Sequence, residues 1–409
     1  MRKFSIRFLA VSLFLVIGIF CLEIVLIGVD WIRDGELISP LEKVRMKLNT
    51  NQVDGNVLIS GNGEECRWLD MFRSHPYVMY AKRASGDCSD HNINRQGFVG
   101  PDYPVEKLDK TFTILVTGGS VAESLMVGDR VTPLETILNR EYRMDGFAGF
   151  RVIVGAMAAS RQPSAMILMA LYSRILHGYI SLDGFNEFEL INSPGSRMAG
   201  HPADPFVMQG ISNTLDVGKY LFARCDELLL RTQLKSTMAM KLRGFYYVTQ
   251  AFRDLCRVSA ARMAARSFDD SHYMSYFTFP AEVRDLEFQR RFNSAQFLQY
   301  IRTTSAIAKA NGIKELHIVQ PVPAFKKVLH EEERRRVQDL SYGPLYKKMA
   351  QEWMALNAEG VPVVNMAGLF DDTQAAVFVD RIHLSNEGKE VLLAKIVETL
   401  VAQWGLKRK

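Results

Sequence analysis

From residue 111 onward this 409-residue chain repeats one pattern, a short apolar run followed by a longer stretch with helical spacing. That alternation restricts the fold more than any other feature. Phe112 to Val116 leads to a helix expected from about Ala122 to Tyr142, and Phe150 to Val154 to one from about Pro163 to Leu176. Gly178 to Leu182 ends at Asp183-Gly184-Phe185-Asn186, and Glu315 to Val319 stops at Gln320-Pro321. Val361 to Val364 follows, and a helix from Asn386 to Trp404 comes last. Short apolar runs alternating with helices predict an α/β domain whose parallel sheet is covered on both faces. In such a sheet, ligand groups gather at the carboxyl ends of the strands.

The rhythm fails between about 195 and 300, where helical spacing with many Arg, Met and aromatic residues reads as an insertion. Within it, Lys241-Leu242-Arg243-Gly244-Phe245-Tyr246-Tyr247 suits an amphipathic helix packed on the core better than one lying on lipid or polysaccharide. Glu331-Glu332-Glu333-Arg334-Arg335-Arg336 sets acids three and four places before bases, the spacing of a solvated helix. Residues 31–110, rich in Gly, Asn and Asp, read as a stalk and irregular lead-in, with a turn-rich segment from Asn92 to Pro101 packing against the main domain.

The N-terminus has a charge pattern of its own. Met1-Arg2-Lys3 and Arg7 precede an uncharged run from Phe8 to Leu22, which resumes after Glu23 through Val29 and is followed by Asp30, Asp34 and Glu36. Basic residues before and acids after predict a cytoplasmic tip, a single-pass signal anchor within residues 1–30 and the rest of the chain on the outer, periplasmic side. No small-x-small cleavage site ends the run, and Phe20 before Cys21 does not suit a lipoprotein signal. Cys66, Cys88, Cys225 and Cys256 then form an even set in an oxidising space; nearest-neighbour pairing, Cys66 with Cys88 and Cys225 with Cys256, is one of three connectivities.

At 48% hydrophobic and 23% charged residues, the chain can bury a full core. A formal net charge of +5 with bases scattered among acids argues against a nucleic-acid partner. Neither cysteines nor histidines cluster with ligand spacing, so no metal or other cofactor is expected.

Three short segments carry chemistry. Thr113-Ile114-Leu115-Val116-Thr117-Gly118-Gly119-Ser120 ends a strand in a sharp turn before a helix, which suits a hydroxyl at the sheet edge with its own amide at the helix start. An N-cap serine is an equal reading of that segment alone. A dinucleotide loop is another, but no glycine stands between Gly119 and Gly128 to complete G-x-G-x-x-G. Asn186, just past the third apolar run, can donate its amide to developing negative charge or merely stabilise its own turn. His383 follows Asp380 by three residues at a loop-to-helix junction, so the carboxylate can hold the imidazole as a base.

Taken together and in order, Thr117-Gly118-Gly119-Ser120, Asp183-Gly184-Phe185-Asn186-Glu187 and Asp380-Arg381-Ile382-His383-Leu384-Ser385 resemble blocks I, III and V of the SGNH (GDSL-like) hydrolases. The likeness runs over roughly 111–405, less the insertion. It implies a flavodoxin-like three-layer α/β/α sandwich and ester hydrolysis through an acyl-enzyme. Ser120 would be nucleophile, His383 the base and then acid, and Asp380 its orienter; the Ser120 amide, the Ala159 amide and the Asn186 side chain would form the oxyanion hole. Two departures stand out. Gly119 replaces the block I acid, and in block II, Phe150 to Gln162, Val154 replaces the family asparagine while Ala159 matches the family glycine, with Gly155 lying too early. The resemblance and the topology together predict an extracytoplasmic esterase acting on O-acyl, for instance O-acetyl, groups of an envelope glycan or lipid. An O-acyltransferase shares the same residues. A catalytically silent component of exopolysaccharide or cell-wall assembly is the rival from another class, and a dehydrogenase comes third.

Overall fold

In the computed structural model, the structure describes residues 20–32, 39–43, 58–59, 65–66, 72–75, 77–82, 93–128, 131–192, 242–267, 279–280, 282–337 and 339–409. A few further positions are described as well: 18, 198–199, 225, 228–230 and 232–233. Two compact units divide the chain, one of residues 1–70 with 209–270 and one of 71–208 with 271–409.

The larger unit holds the sheet. Its elements are β1 (Thr111–Gly118), α1 (Ser120–Met126), α2 (Pro133–Glu141), β2 (Gly149–Ala156), α3 (Ser164–Tyr172), β3 (Gly178–Asp183) and α4 (Phe185–Asn192). In the smaller unit α5 is Arg243–Ser267, after which the larger unit resumes with α6 (Leu286–Ala310), β4 (Lys314–Val319), α7 (Glu331–Arg336), α8 (Gly343–Met354), β5 (Val363–Asn365) and α9 (Asn386–Trp404). All five strands are parallel and lie in the order β5-β4-β3-β1-β2. Read from its other edge this is the flavodoxin-like order, which reverses direction between β1 and β3 and opens a crevice beyond their carboxyl ends. The expected α/β sandwich is therefore present.

Every residue of β3 and all but the first of β1 are buried, as a sheet covered on both faces requires. On one face Ile114, Val116, Val154, Ile180 and Ile318 pack with Leu392, Ile396 and Leu400 of α9 and with Leu134 and Leu138 of α2. On the other, Phe188 of α4, Ile301 of α6 and Tyr346, Met349 and Trp353 of α8 close over Val319 and Val363. Burying a side chain of this size stabilises the fold by about 1.5–3 kcal/mol, so either face supplies ample drive.

Three boundaries differ from expectation. The helix anticipated from 122 to 142 is two helices, because Pro133 lacks an amide proton and starts α2 with Thr132 Oγ1 accepting from Glu135 N at 3.2 Å. Helix α6 crosses the end of the expected insertion at 300; it packs on α3 and α4 and buries Phe297 and Ile301, so it belongs to the sheet's cover. The lead-in is not all stalk. A hairpin, Phe72–His75 with Met79–Lys82, belongs to the larger unit with Phe72, Tyr80 and Ala81 buried. The turn-rich segment after it packs as expected, with Phe98 buried and Tyr103 Oη donating to Val154 O at 2.6 Å.

In the smaller unit, residues 20–32 are helical. Glu23 accepts from the Arg243 and Gly244 amides at 2.7 and 2.6 Å and so satisfies the first turn of α5, while Asp30 pairs with the Arg243 guanidinium at 2.7 Å. Cys225 and Cys256 are joined in a disulfide, as nearest-neighbour pairing anticipated; Cys88 lies outside the described residues. Among the described residues no helix is long and apolar enough to cross a membrane, and the expected anchor's residues 1–17 lie outside them.

Candidate active site

Ser120 opens α1 directly after β1. Helix α1 has Gly119 at its cap and no side-chain cap, so the N-cap reading of Ser120 does not hold. Its Oγ lies 2.7 Å from His383 Nε2 instead. On the other side of the ring, His383 Nδ1 is 2.6 Å from Asp380 Oδ2. With Nδ1–H donating to the carboxylate, Nε2 is left as the acceptor for the serine hydroxyl.

The His383 loop is largely self-supporting. Asp380 Oδ1 accepts from the Ile382 and His383 amides at 2.8 and 2.7 Å, and Val379 N donates to His383 O at 2.9 Å. Burial alone would push the Asp380 carboxyl up; the hydrogen bonds from the His383 ring, the ring's charge and these two amides outweigh it and hold the group below the ordinary carboxylate range. Arg381 lies over the Phe185 and Tyr342 rings, 5.2 and 5.7 Å from their centroids, and its guanidinium bonds Glu189 at 2.8 Å.

Behind this loop stands a residue that its charge run concealed. Glu333 is fully buried; it accepts from the Val377 and Phe378 amides at 2.9 and 3.0 Å and from Lys326 Nζ at 2.6 Å. The solvated reading of the Glu331 to Arg336 run is thus corrected at this position. Residues either side of it bear charge on the surface, but the helix turns Glu333 inward, where the His330 amide also donates to it.

The expected oxyanion-hole residues come from three loops that meet at Gly119. A Cβ placed on Gly119 would lie 2.5 Å from Asn186 Nδ2 and 3.4 Å from Ser160 O. Where the resemblance has an acid, a side chain would have to displace the Asn186 amide from its bond to Ser160 O, which favours glycine. Gly118 is equally obligatory: its φ is +143°, and a Cβ there would collide with the Leu182 carbonyl. Asn186 does not merely stabilise its own turn. Its Nδ2 donates to Ser160 O at 2.7 Å, and an amide nitrogen keeps a second proton to offer.

Ala159 sits at the apex of the loop between β2 and α3 with φ of +59°, the one positive φ at a non-glycine position among the described residues. The left-handed conformation costs an L-residue about 1–2 kcal/mol, so its neighbours must hold it there. They do so from several directions. Met157 N donates to Gly118 O at 3.0 Å, Ser160 N to Met157 O at 3.0 Å, and Gln162 N to Glu187 Oε1 at 2.9 Å. The Ala159 amide itself has no acceptor among the described residues. Gly155, the other candidate, lies within β2, where a Cβ would press on Leu168 and Leu115.

A buried pair of acids underlies this arrangement. Glu187 joins two of the loops, because its second oxygen accepts from Gly184 N at 3.0 Å. Asp183 is pushed well up by burial and by the adjacent Glu187; Glu187 is also raised by burial, opposed by the Gln162 and Gly184 amides and the Arg161 charge. Sequence reading placed Asp183 and Glu187 in the right turn without giving them a task.

A hydroxyl, an imidazole and a carboxylate stand in hydrogen-bonded series at the carboxyl end of a parallel sheet beside backbone amides, the geometry that a serine nucleophile requires. The three segments that resemble blocks I, III and V meet around the switch point of the sheet. No protein-family model matches the chain, and no curated protein matches it in sequence. Among solved structures it is similar to a GDSL-like lipase from Bacteroides thetaiotaomicron, at 10% identity and TM-score 0.32 over 70% of this chain and 87% of that one. An acetyl xylan esterase, at 9% and 0.36 over 71% and 100%, and a lipase/acylhydrolase from Enterococcus faecalis, at 12% and 0.32 over 73% and 98%, are similar too. Likenesses this distant carry no argument about activity, which rests on the residues above.

Proposed function

We propose that the chain is an SGNH-type serine esterase acting on O-acyl groups of an envelope glycan or lipid. One observation carries the reading: the unbroken series from Ser120 Oγ to His383 Nε2 at 2.7 Å and from His383 Nδ1 to Asp380 at 2.6 Å. A silent binding protein has no need of it. In the reaction the Ser120 hydroxyl attacks the ester carbonyl as its proton passes to His383 Nε2, and Asp380 stabilises the imidazolium. Negative charge on the former carbonyl oxygen meets the Ser120 and Ala159 amides and the Asn186 amide group, where the loss of one donor typically costs about 3 kcal/mol. Collapse of the tetrahedral species breaks the carbon–oxygen bond to the alcohol, which leaves with the His383 proton. Water, deprotonated by His383, then attacks the acyl-Ser120 carbonyl; the bond to Ser120 Oγ breaks as Oγ takes the proton back from His383, and the acid is released. The same steps with a sugar hydroxyl in place of water give acyl transfer.

Attachment to a membrane through the N-terminal helix, with the site outside the cytoplasm, belongs to this proposal. It draws support from the charge pattern of residues 1–36 and from the exposure of Phe20, Leu22, Ile24, Val25, Ile27 and Val29. The test is labelling by a fluorophosphonate together with turnover of an O-acetylated glycan, with and without an acceptor sugar. Ser120→Ala is expected to abolish both; labelling that persists in that variant would exclude the assignment.

A further inference from the structure

We infer that Glu123, with Lys82 and Tyr80 from the hairpin that precedes the sheet, is a positioning group for the Ala159 amide. This rests on the esterase reading and extends it to a segment expected to be a spacer. Glu123 Oε2 accepts from Ala158 N at 2.7 Å, and its other oxygen pairs with Lys82 Nζ. Tyr80 Oη donates to Ala158 O at 2.8 Å. Both backbone polar groups of Ala158 are therefore held by side chains, one 35 and the other 78 residues away.

The direction of the Ala159 N–H depends on the peptide plane between residues 158 and 159, whose oxygen is the one Tyr80 holds. Ala158 N fixes the plane before it. The φ of Ala159 is the twist between the plane that Tyr80 holds and the next, whose Ser160 amide donates to Met157 O at 3.0 Å; with Tyr80 on one side and Met157 on the other, the turn cannot relax toward negative φ, which is what an alanine released from the left-handed region would do. A glycine at 159 would carry no such tendency, so the brace compensates for the departure in block II. Lys82 and Glu123 are both buried, and their pairing aims the other carboxylate oxygen at Ala158 N.

The role predicts effects on the transition state alone. In the full chain, Glu123→Ala is expected to lower kcat per titrated Ser120 by about 10²-fold with little change in KM, as for a displaced catalytic donor. Glu123→Gln, which keeps an oxygen toward Ala158 N, is expected to restore most of that loss. The pH profile of kcat/KM should stay that of the wild type, because the His383 to Asp380 pair is untouched. Tyr80→Phe removes only the hydroxyl and should lower kcat by a smaller factor in the same pattern. Burst titration of Ser120 with an activated ester, melting curves and steady-state kinetics measure all of this. Full kcat per active serine in Glu123→Ala, or a change confined to KM, would overturn the inference. If Glu123→Ala does not fold, Tyr80→Phe decides, and undiminished kcat there overturns it. A wild-type chain with neither labelling nor turnover overturns the esterase reading and this inference together, whereas an active wild type beside an equally active Glu123→Ala overturns this inference alone.

Discussion

The two arms of the site are built in opposite ways. Asp380 and His383 lie three residues apart, and the carboxylate fixes the ring and two amides of its own loop. The loop from Ala156 to Gln162 has no such economy; it is held by Glu123, Tyr80, Asn186 and Glu187, 25 to 78 residues away in sequence. A locally closed arm reads as a motif. An arm assembled from distant segments has no local signature, and its tolerance to change depends on how many of its supports remain.

The sharpest way to break the local arm is Asp380→Asn. It keeps the size of the side chain but presents the wrong partner to His383 Nδ1, so kcat should fall about 10⁴-fold with the fold intact, checked by kinetics beside circular dichroism. A retained kcat would mean that the ring is oriented by something else.

Glu333→Ala tests whether the local arm is as self-sufficient as it looks. Removal leaves the Lys326 ammonium buried without its carboxylate and two amides of the His383 loop without an acceptor, a loss of about 3–5 kcal/mol in stability by denaturant unfolding. If stability falls while kcat of the folded fraction is unchanged, Asp380 and His383 hold their geometry without it.

On the distant arm, and on the proposed mechanism, Asn186→Ala removes an oxyanion donor and the tie to Ser160 O at once. A fall of about 10² to 10³-fold in kcat, with KM nearly constant, is the expected result. A change in KM instead would make Asn186 a ground-state contact with substrate.

The smallest effect separates stability from catalysis. His177, at the opposite end of β3 from the site, has its pKa lowered to about 4, chiefly by burial, with the Lys107 charge adding to it, and its Nδ1 accepts from Thr113 N at 3.2 Å. The folded ring is thus neutral where the unfolded one, titrating near 6.5, takes up a proton. The unfolded state binds more protons in this window, so stability is lost as pH falls from about 6.5 toward 4. Melting temperatures across that range should drop for the wild type and stay flatter for His177→Gln.

How much was legible follows from the same contrast. The strands were read from runs such as Phe112 to Val116 and Gly178 to Leu182, because a strand buried on both faces leaves an unbroken apolar stretch. The last helix was placed from Asn386 to Trp404, as found, since Ser385 caps it and Gly405 ends it in the left-handed region. The break before α2 does not show in the helical spacing, although Pro133 marks it. Glu333 was misread because charge spacing on a helix does not tell which charge the tertiary contacts turn inward. Nothing in the order of residues tied Lys82 or Tyr80 to the site.

Periodicity and neighbours a few residues apart are enough for the parallel sheet, for the carboxyl edge on which chemistry would gather, and for Ser120, Asp380 and His383 as candidates. That Ser120 Oγ meets the imidazole, that Ala159 takes a left-handed turn, and that Glu123, Glu187 and Glu333 are buried supports follows from packing alone. Those outcomes depend on groups that the chain brings together only once its sheet and helices have packed, and a buried carboxylate is tolerated only where the fold supplies amides or an ammonium to meet it.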